Sequence, residues 1–306
     1  MKVIFFGLGS IGQRQARILL ENFEHELFAF RSGAAEKPNQ LGIKELYKWE
    51  EVEKLGPEIA FITNPTNLHI PTALRCAALG MHLFIEKPLS HTLQDIPFLT
   101  SVCQKKGLTC YTAYGLRFHP VIKAMKERIK GRKVYQARVV CSSYLPDWRS
   151  GRSSESTYSA YKDQGGGVLL DLSHEFDYIQ HLFGEIGSMQ GRFGRISSVT
   201  KDSEDFADVL LETVFKTKVN LHLDFLSLYA ERRIVMDLEN GYLVGDLIQN
   251  QIEEKAGVQK FSSGRDDYLK EQLRYFFEHL GEPAIMNNIQ EAGQLLGKVL
   301  ELKDGQ

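Results

Sequence analysis

The sequence predicts an α/β protein: a doubly wound parallel sheet in the first third, then an α+β domain with an open, largely antiparallel sheet. Three observations carry that expectation. Up to about residue 118, short and nearly continuous apolar runs alternate with helix-period segments, as in a parallel sheet covered on both faces. Beyond residue 130 the runs become period-2. In VNLHLDF, Val219, Leu221, Leu223 and Phe225 face one way and Asn220, His222 and Asp224 the other, as in an antiparallel sheet with one covered face. The length of 306 residues suits about two domains, each with its own core, here drawn at 1–118 and 119–306.

Taken in order, VIFF at 3–6, ELFAF at 26–30, EIAFIT at 58–63, HLFIE at 82–86 and LTCYTAY at 108–114 read as strands, and 10–22, 70–80, 92–106 and 120–130 as helices. VYQARVVCSSY, SMQGRFGRI, FADVLLETVF, KVNLHLDFLS, ERRIVMDLE and YLVGDLI follow as strands. A helix at 166–183 interrupts them, and helices at 266–280 and 287–302 close the chain. The one long loop-like tract, PDWRSGRSSESTYSAYKDQGGG at 146–167, is of the kind that is usually functional or mobile inside a compact domain.

Thirty-seven basic and 39 acidic side chains leave a formal charge of -2. That excludes a global field of the kind that gathers nucleic acid or anionic membrane. The start, MKVIFFGLGS, is too poor in apolar residues for a secretory signal, and no stretch approaches the roughly 18 apolar residues of a membrane span. Cys76, Cys103, Cys110 and Cys141 form no CxxC pair and lack metal-spaced histidines. The expectation is a cytoplasmic protein with reduced, structural thiols and no metal.

Gly7-Leu8-Gly9-Ser10-Ile11-Gly12 fits GxGxxG between a strand and a helix. Glycines there permit a tight turn, close approach of a pyrophosphate and helix–strand packing, and the helix N-terminus offers unpaired N–H groups and a positive dipole end. The segment is the dinucleotide-binding signature of a Rossmann domain. At the end of the second strand, where an NAD site places a carboxylate on the ribose 2′-hydroxyl, stand Arg31 and Ser32. An arginine and a hydroxyl suit a 2′-phosphate, so NADP(H) is expected ahead of NAD(H), although an arginine can also stack on adenine. Ligands of open α/β sheets lie outside the carboxyl ends of the strands. Thr63-Asn64-Pro65 and Glu86-Lys87-Pro88 end strands there, and a partly desolvated lysine at that edge can work near neutral pH.

GLGSIG at 7–12, NPTNLHI at 64–70, EKP at 86–88, YGLRFHP at 114–120 and GGGVLLDLSHEFDY at 165–178 stand in the order and approximate spacing of the Gfo/Idh/MocA oxidoreductases, the group of glucose-fructose oxidoreductase and inositol dehydrogenase, which this sequence resembles over most of its length. The resemblance implies a Rossmann domain, a second domain on an open mixed sheet, and hydride exchange between NAD(P) and a hydroxyl or ketone of a sugar, cyclitol or related compound. It makes Lys87 a catalytic candidate, Glu86 its cofactor-side neighbour, and Thr63, Asn64, Pro65 and His69 part of the cofactor site. It brings Asp171 and His174, on the polar side of the 166–183 helix, to the nicotinamide. Two positions depart from the usual pattern: Asp171 and His174 are spaced i, i+3 rather than i, i+4, and Gly115 replaces an asparagine.

On this reading a secondary hydroxyl lies between nicotinamide C4, Lys87 and His174, and one of these side chains takes its proton as hydride leaves. Histidine titrates near neutrality unaided, whereas lysine needs a shift or acts by polarising the oxygen while Asp171 orients the others. Tyr114 and Arg117, with Trp148, Arg149 and Tyr161 of the long tract, are substrate candidates, since aromatic faces suit sugar rings and arginines suit anionic groups, nucleotide-linked sugars included. Redox-assisted elimination or glycoside cleavage with the cofactor regenerated, and a non-catalytic NADP-binding regulator, are the alternatives. The expected partners are a carbohydrate-like small molecule and further copies of the chain, as a homodimer or homotetramer through the second sheet.

Overall fold

The computed structural model describes residues 1–33, 39–148, 157–282 and 284–305. Two compact units emerge, Met1–Tyr114 with Leu269–Gly297, and Gly115–Tyr268 with Lys298–Gln306. The single division expected after residue 118 is thus replaced by a chain that leaves the first unit at Tyr114 and returns to it at Leu269.

The first unit contains β1 (Lys2–Phe6), α1 (Ser10–Asn22), β2 (Glu26–Phe30), β3 (Lys44–Leu46), α2 (Trp49–Leu55), β4 (Ile59–Ile62), α3 (His69–Ala78), β5 (His82–Ile85), α4 (Ile96–Lys106) and β6 (Cys110–Thr112). Every strand pair is parallel, in the order β3-β2-β1-β4-β5-β6. The order reverses at β1, so the crevice for a ligand opens at the carboxyl ends of β1 and β4. Val3–Phe6, Ile59–Ile62 and Leu83–Ile85 are at most 2% exposed, which is why these strands read as unbroken apolar runs rather than alternating ones. β3 and α2 escape the sequence reading. KEL is three residues with one buried side chain, and α2 buries only Val52, so neither shows a period.

The second unit carries α5 (Pro120–Arg128), β7 (Val134–Ser142), α6 (Val168–Asp171), α7 (His174–Phe183), β8 (Ile186–Gly194), β9 (Phe206–Thr213), β10 (Lys218–Asp224), β11 (Glu231–Leu238), β12 (Gly241–Asp246), β13 (Gln251–Glu254) and β14 (Gly257–Lys260). Its sheet runs β14-β13-β12-β11-β7-β10-β9-β8, antiparallel throughout except for the parallel β7–β10 pair. Val219, Leu221, Leu223 and Phe225 are buried to 2% exposure or less, as their alternation required. β13 and β14 were not legible: β14 is exposed along its length and has no face to bury. The helix expected over 166–183 is two, interrupted at Leu172 and Ser173.

Two last helices, α8 (Asp267–Glu278) and α9 (Ile289–Asp304), complete the chain. From α8, Phe276 sets its ring edge-on against Phe84 at 5.2 Å and Phe61 at 6.0 Å, and Gln272 donates to the Tyr111 hydroxyl at 3.2 Å. These contacts explain why the late segment returns to the first sheet. Phe61 also lies 4.8 Å from Phe5 and 4.5 Å from Phe84. Truncation by Phe61→Ala empties the centre of this cluster and is expected to cost about 3–5 kcal/mol by denaturant titration. A midpoint equal to wild type would show that the cluster does not hold the unit together.

Candidate active site

The glycine turn after β1 is shaped by what cannot fit in it. Gly7 has φ +109°, and a Cβ there would meet the backbone of Thr63 and Asn64 at 2.8 Å. At Gly12 a Cβ would run into the Gly7 carbonyl and stand 2.7 Å from Thr63 Oγ1, whose hydroxyl donates to that same carbonyl at 2.5 Å. Gly9 differs: among the described residues, a Cβ there would meet no atom within 4 Å beyond its own chain neighbours. It is the N-cap of α1, with no side-chain cap and no acidic residue in the first turn. Ser10 is exposed and Ile11 half-buried beside it. An open approach, uncapped N–H groups and a positive helix end fit the pyrophosphate of a dinucleotide.

At the end of β5, Glu86 is 9% exposed and Lys87 half-buried, and the Lys87–Pro88 peptide bond is cis. Burial pushes the Glu86 carboxyl up to about 7. Its Oε1 accepts from the Gln15 amide of α1, and its Oε2 from the Lys87 backbone N–H at 3.3 Å. His69 is not on the surface of the site but beneath it. Its ring nitrogens lie 3.0 Å from the Asn64 carbonyl and 3.0 Å from the Pro88 carbonyl, so one imidazole packs between the turns after β4 and β5 and, with a single N–H when neutral, donates to one of these two acceptors. Burial holds the ring neutral down to about pH 4. Asn64 in turn donates to Thr72 Oγ1 at 2.9 Å, and Pro65 is exposed.

Arg31 lies one residue beyond the Phe6–Phe30 pair of the β1–β2 ladder. Its Nη1 donates to Glu45 of β3 at 2.9 Å, and Ser32 beside it is exposed. A carboxylate is therefore present at this edge, on the strand the sequence did not announce.

In the second unit, Gly166 and Gly167 let protein come close. A Cβ on Gly166 would strike the Tyr158 and Ser159 carbonyls, and one on Gly167, at φ +100°, would stand 2.5 and 2.6 Å from the Glu204 carboxylate oxygens. Glu204 is itself held by Lys303 Nζ at 2.9 Å. Asp171 closes α6, 3% exposed, and accepts from the Tyr158 hydroxyl at 2.7 Å. His174 opens α7 and is half-buried. The helix behind it is clamped twice. Arg117 forks onto Asp177 with donor distances of 2.7, 3.0 and 3.2 Å, and Arg232 Nε donates at 2.6 Å to Glu175, which is fully buried. Arg117 is thus engaged as a strut, and Tyr178, on the same helix, is fully buried. Breaking such a buried pair from one side costs about 3–5 kcal/mol.

Tyr114 is 2% exposed in the first unit. Trp148 is 40% exposed, donates to Ser143 Oγ at 2.9 Å and sits edge-on to Phe225 at 5.1 Å. Tyr161 is half-buried, its carbonyl accepting from Gly166 at 2.9 Å. Arg149 lies outside the described residues. Sequence reasoning missed Gln15, Glu45, Tyr158 and Glu204, since their meaning comes from partners 13 to 99 residues away. Among the described residues there is no metal-holding cluster, no disulfide at the four buried cysteines and no helix long and apolar enough to cross a membrane.

Comparison with known proteins bears on this geometry. Residues 1–114 match the model of an oxidoreductase family with an NAD-binding Rossmann fold, and residues 122–244 that of the GFO/IDH/MocA C-terminal domain. The chain is 26% identical over 192 residues to a myo-inositol 2-dehydrogenase of Thermotoga maritima, covering 60% of this chain and 55% of that protein. It is 25% identical over 129 residues to a 2,7-anhydro-N-acetylneuraminate hydratase of Escherichia coli, covering 42% of this chain and 34% of that one. The matched segments thus span about half the length of these relatives, or less. A levoglucosan dehydrogenase solved with NADH superimposes with a TM-score of 0.85 at 14% identity, over 100% of this chain and 97% of the other, a likeness of fold.

The raised Glu86 pKa gives a stability signature. Between its unfolded value of 4.5 and its folded value of about 7, the native state binds the extra proton, so stability falls as pH rises through that window. The unfolding free energy of wild type minus that of Glu86→Gln is expected to fall from pH 4.5 to about pH 7 and to level off outside that window, measured by denaturant titration. A value that rises with pH would mean that Glu86 is held ionised instead.

Proposed function

The chain belongs to the Gfo/Idh/MocA oxidoreductase family, and from that premise we propose that it exchanges a hydride between a nicotinamide dinucleotide and a secondary hydroxyl or ketone of a sugar, cyclitol or related compound. One observation carries the reading: the uncapped α1 N-terminus, the open direction at Gly9 and the half-buried Lys87 share the carboxyl edge of one parallel sheet. The dinucleotide, when bound, supplies the hydride acceptor or donor. The chain's own residues do the rest. The α1 N–H groups and the glycine turn hold the pyrophosphate. Lys87, fixed by the buried Glu86 and the His69 strut behind it, polarises the reacting oxygen. His174, on a helix clamped by two buried ion pairs, takes the hydroxyl proton or returns it, and the Tyr158–Asp171 pair positions the turn that precedes it.

Self-association through the exposed face of the second sheet, where Leu210 is 53% exposed, belongs to the same reading. A second reading, hydration or elimination with transient oxidation and the dinucleotide regenerated, is favoured by the match to a hydratase.

A panel of sugars, cyclitols and nucleotide sugars, followed by the absorbance of reduced nicotinamide, tests the first reading, and substrate turnover with no net change in that absorbance selects the second. Lys87→Ala and His174→Ala are each expected to lower kcat by about 10²-fold or more while binding of the dinucleotide persists. Near-normal turnover in both would remove these residues from the chemistry.

A further inference from the structure

The two nicotinamide dinucleotides differ by a 2′-phosphate, and in a doubly wound sheet the residues at the end of the second strand face the ribose that carries it. Here that strand ends in Arg31 and Ser32, and β3 runs beside it. The register sets Glu45 against Ala29 and Leu46 against Phe30, and the Arg31 N–H continues the ladder onto the Leu46 carbonyl at 2.9 Å. Arg31 and Glu45 therefore rise on the same face of the sheet, where side chains alternate.

The contact between them is built rather than incidental. Glu45 Oε1 accepts from Arg31 Nη1 at 2.9 Å and from Asn39 Nδ2 at 2.9 Å, while Oε2 accepts from the Tyr47 hydroxyl at 2.6 Å. Asn39 is fixed in its turn, donating to the Ile43 carbonyl at 2.7 Å and accepting from the Leu41 and Ile43 N–H groups at 3.2 and 3.1 Å. The Glu45 side chain is 8% exposed and that of Arg31 is 29%. The hydrogen bonds from Tyr47 and Asn39 hold the carboxyl below its usual range, so it is ionised at neutral pH.

We propose that Glu45 sets the dinucleotide preference, by neutralising Arg31 and standing a fixed carboxylate at the ribose 2′ position, so that the protein binds NAD(H) in preference to NADP(H). A phosphate dianion drawn to Arg31 meets Glu45 immediately behind it, with little water between to screen the repulsion. A ribose 2′-hydroxyl meets no such penalty and can donate to Oε2, which carries one donor and keeps a lone pair. A strand three residues long thus does the work of the acidic residue that the end of β2 lacks. The NADP(H) expectation rested on the absence of a carboxylate, and that premise does not survive the placement of β3.

The inference rests on the reading of this edge as a nicotinamide dinucleotide site, and the test separates the two. Dissociation constants for NADH and NADPH are measured by fluorescence titration on the wild-type chain and on Glu45→Gln, without substrate. Wild type is expected to bind NADH about tenfold or more tightly than NADPH, and Glu45→Gln to narrow that ratio by about tenfold through tighter NADPH binding. Tighter NADPH binding by wild type, or a ratio untouched by the substitution, overturns the role of Glu45 and leaves the dinucleotide reading standing. Failure of wild type to bind either compound overturns both. A misfolded variant would weaken both compounds in parallel, and the wild-type ratio then decides alone.

Discussion

Gly12 has no Cβ, and the ligand edge of the first unit depends on it. Without that atom β4 can bring Thr63 against the turn after β1, where its hydroxyl donates to the Gly7 carbonyl at 2.5 Å. With the two strand ends pinned, the first turn of α1 is left without a side-chain cap at Gly9. His69, buried between the Asn64 and Pro88 carbonyls and donating to one of them, fills the step from β4 to β5. Lys87 is in this way positioned by a chain of contacts that begins at a missing methyl group two strands away. Each link is a buried polar group with its partner supplied by the next loop, the condition under which such groups stabilise rather than cost.

The second unit uses heavier anchors. His174 is the first residue of a helix held by Arg117 on Asp177 and by Arg232 on Glu175, and Asp171 is held by Tyr158. The Gly166–Gly167 backbone permits this by letting the Tyr158–Ser159 turn and Glu204 come close. The i, i+3 spacing of Asp171 and His174 is not a shortened step along one helix. A break at Leu172 and Ser173 stands between the two residues, so each belongs to its own helix and has its own support.

Much of this was legible in the sequence, and the failures share a cause. The glycine turn, its flanking strand and helix, and the Glu86-Lys87-Pro88 strand end were readable because their signals are local: a spacing, an apolar run, a proline. The alternation in β10 was readable for the same reason. Glu45 was not, because KEL is too short to show a period and its meaning lies in Arg31, 14 residues earlier. The Arg117–Asp177 pair was not legible either, because an arginine beside aromatics does not announce an acidic partner 60 residues on. The glycine triplet marks the same limit, because a missing Cβ signals close approach without saying of what. Sequence pattern conveys where backbone must come close; only the fold says which partner arrives.

The central claim is that the open direction at Gly9 is where the pyrophosphate lies, and substitution by aspartate tests it most directly. Gly9 sits at φ -70° as the N-cap of α1, and among the described residues a Cβ there would meet no atom within 4 Å beyond its own chain neighbours. Aspartate is among the favoured N-cap residues, so Gly9→Asp is expected to keep or slightly raise stability, by up to a few tenths of a kcal/mol. Its carboxylate would occupy the same N–H groups that the dinucleotide needs. Stability and NADH affinity, measured on the same preparation, are expected to part company, with the fold intact and binding lost. A variant that folds as well as wild type and still binds NADH with unchanged affinity would contradict the account.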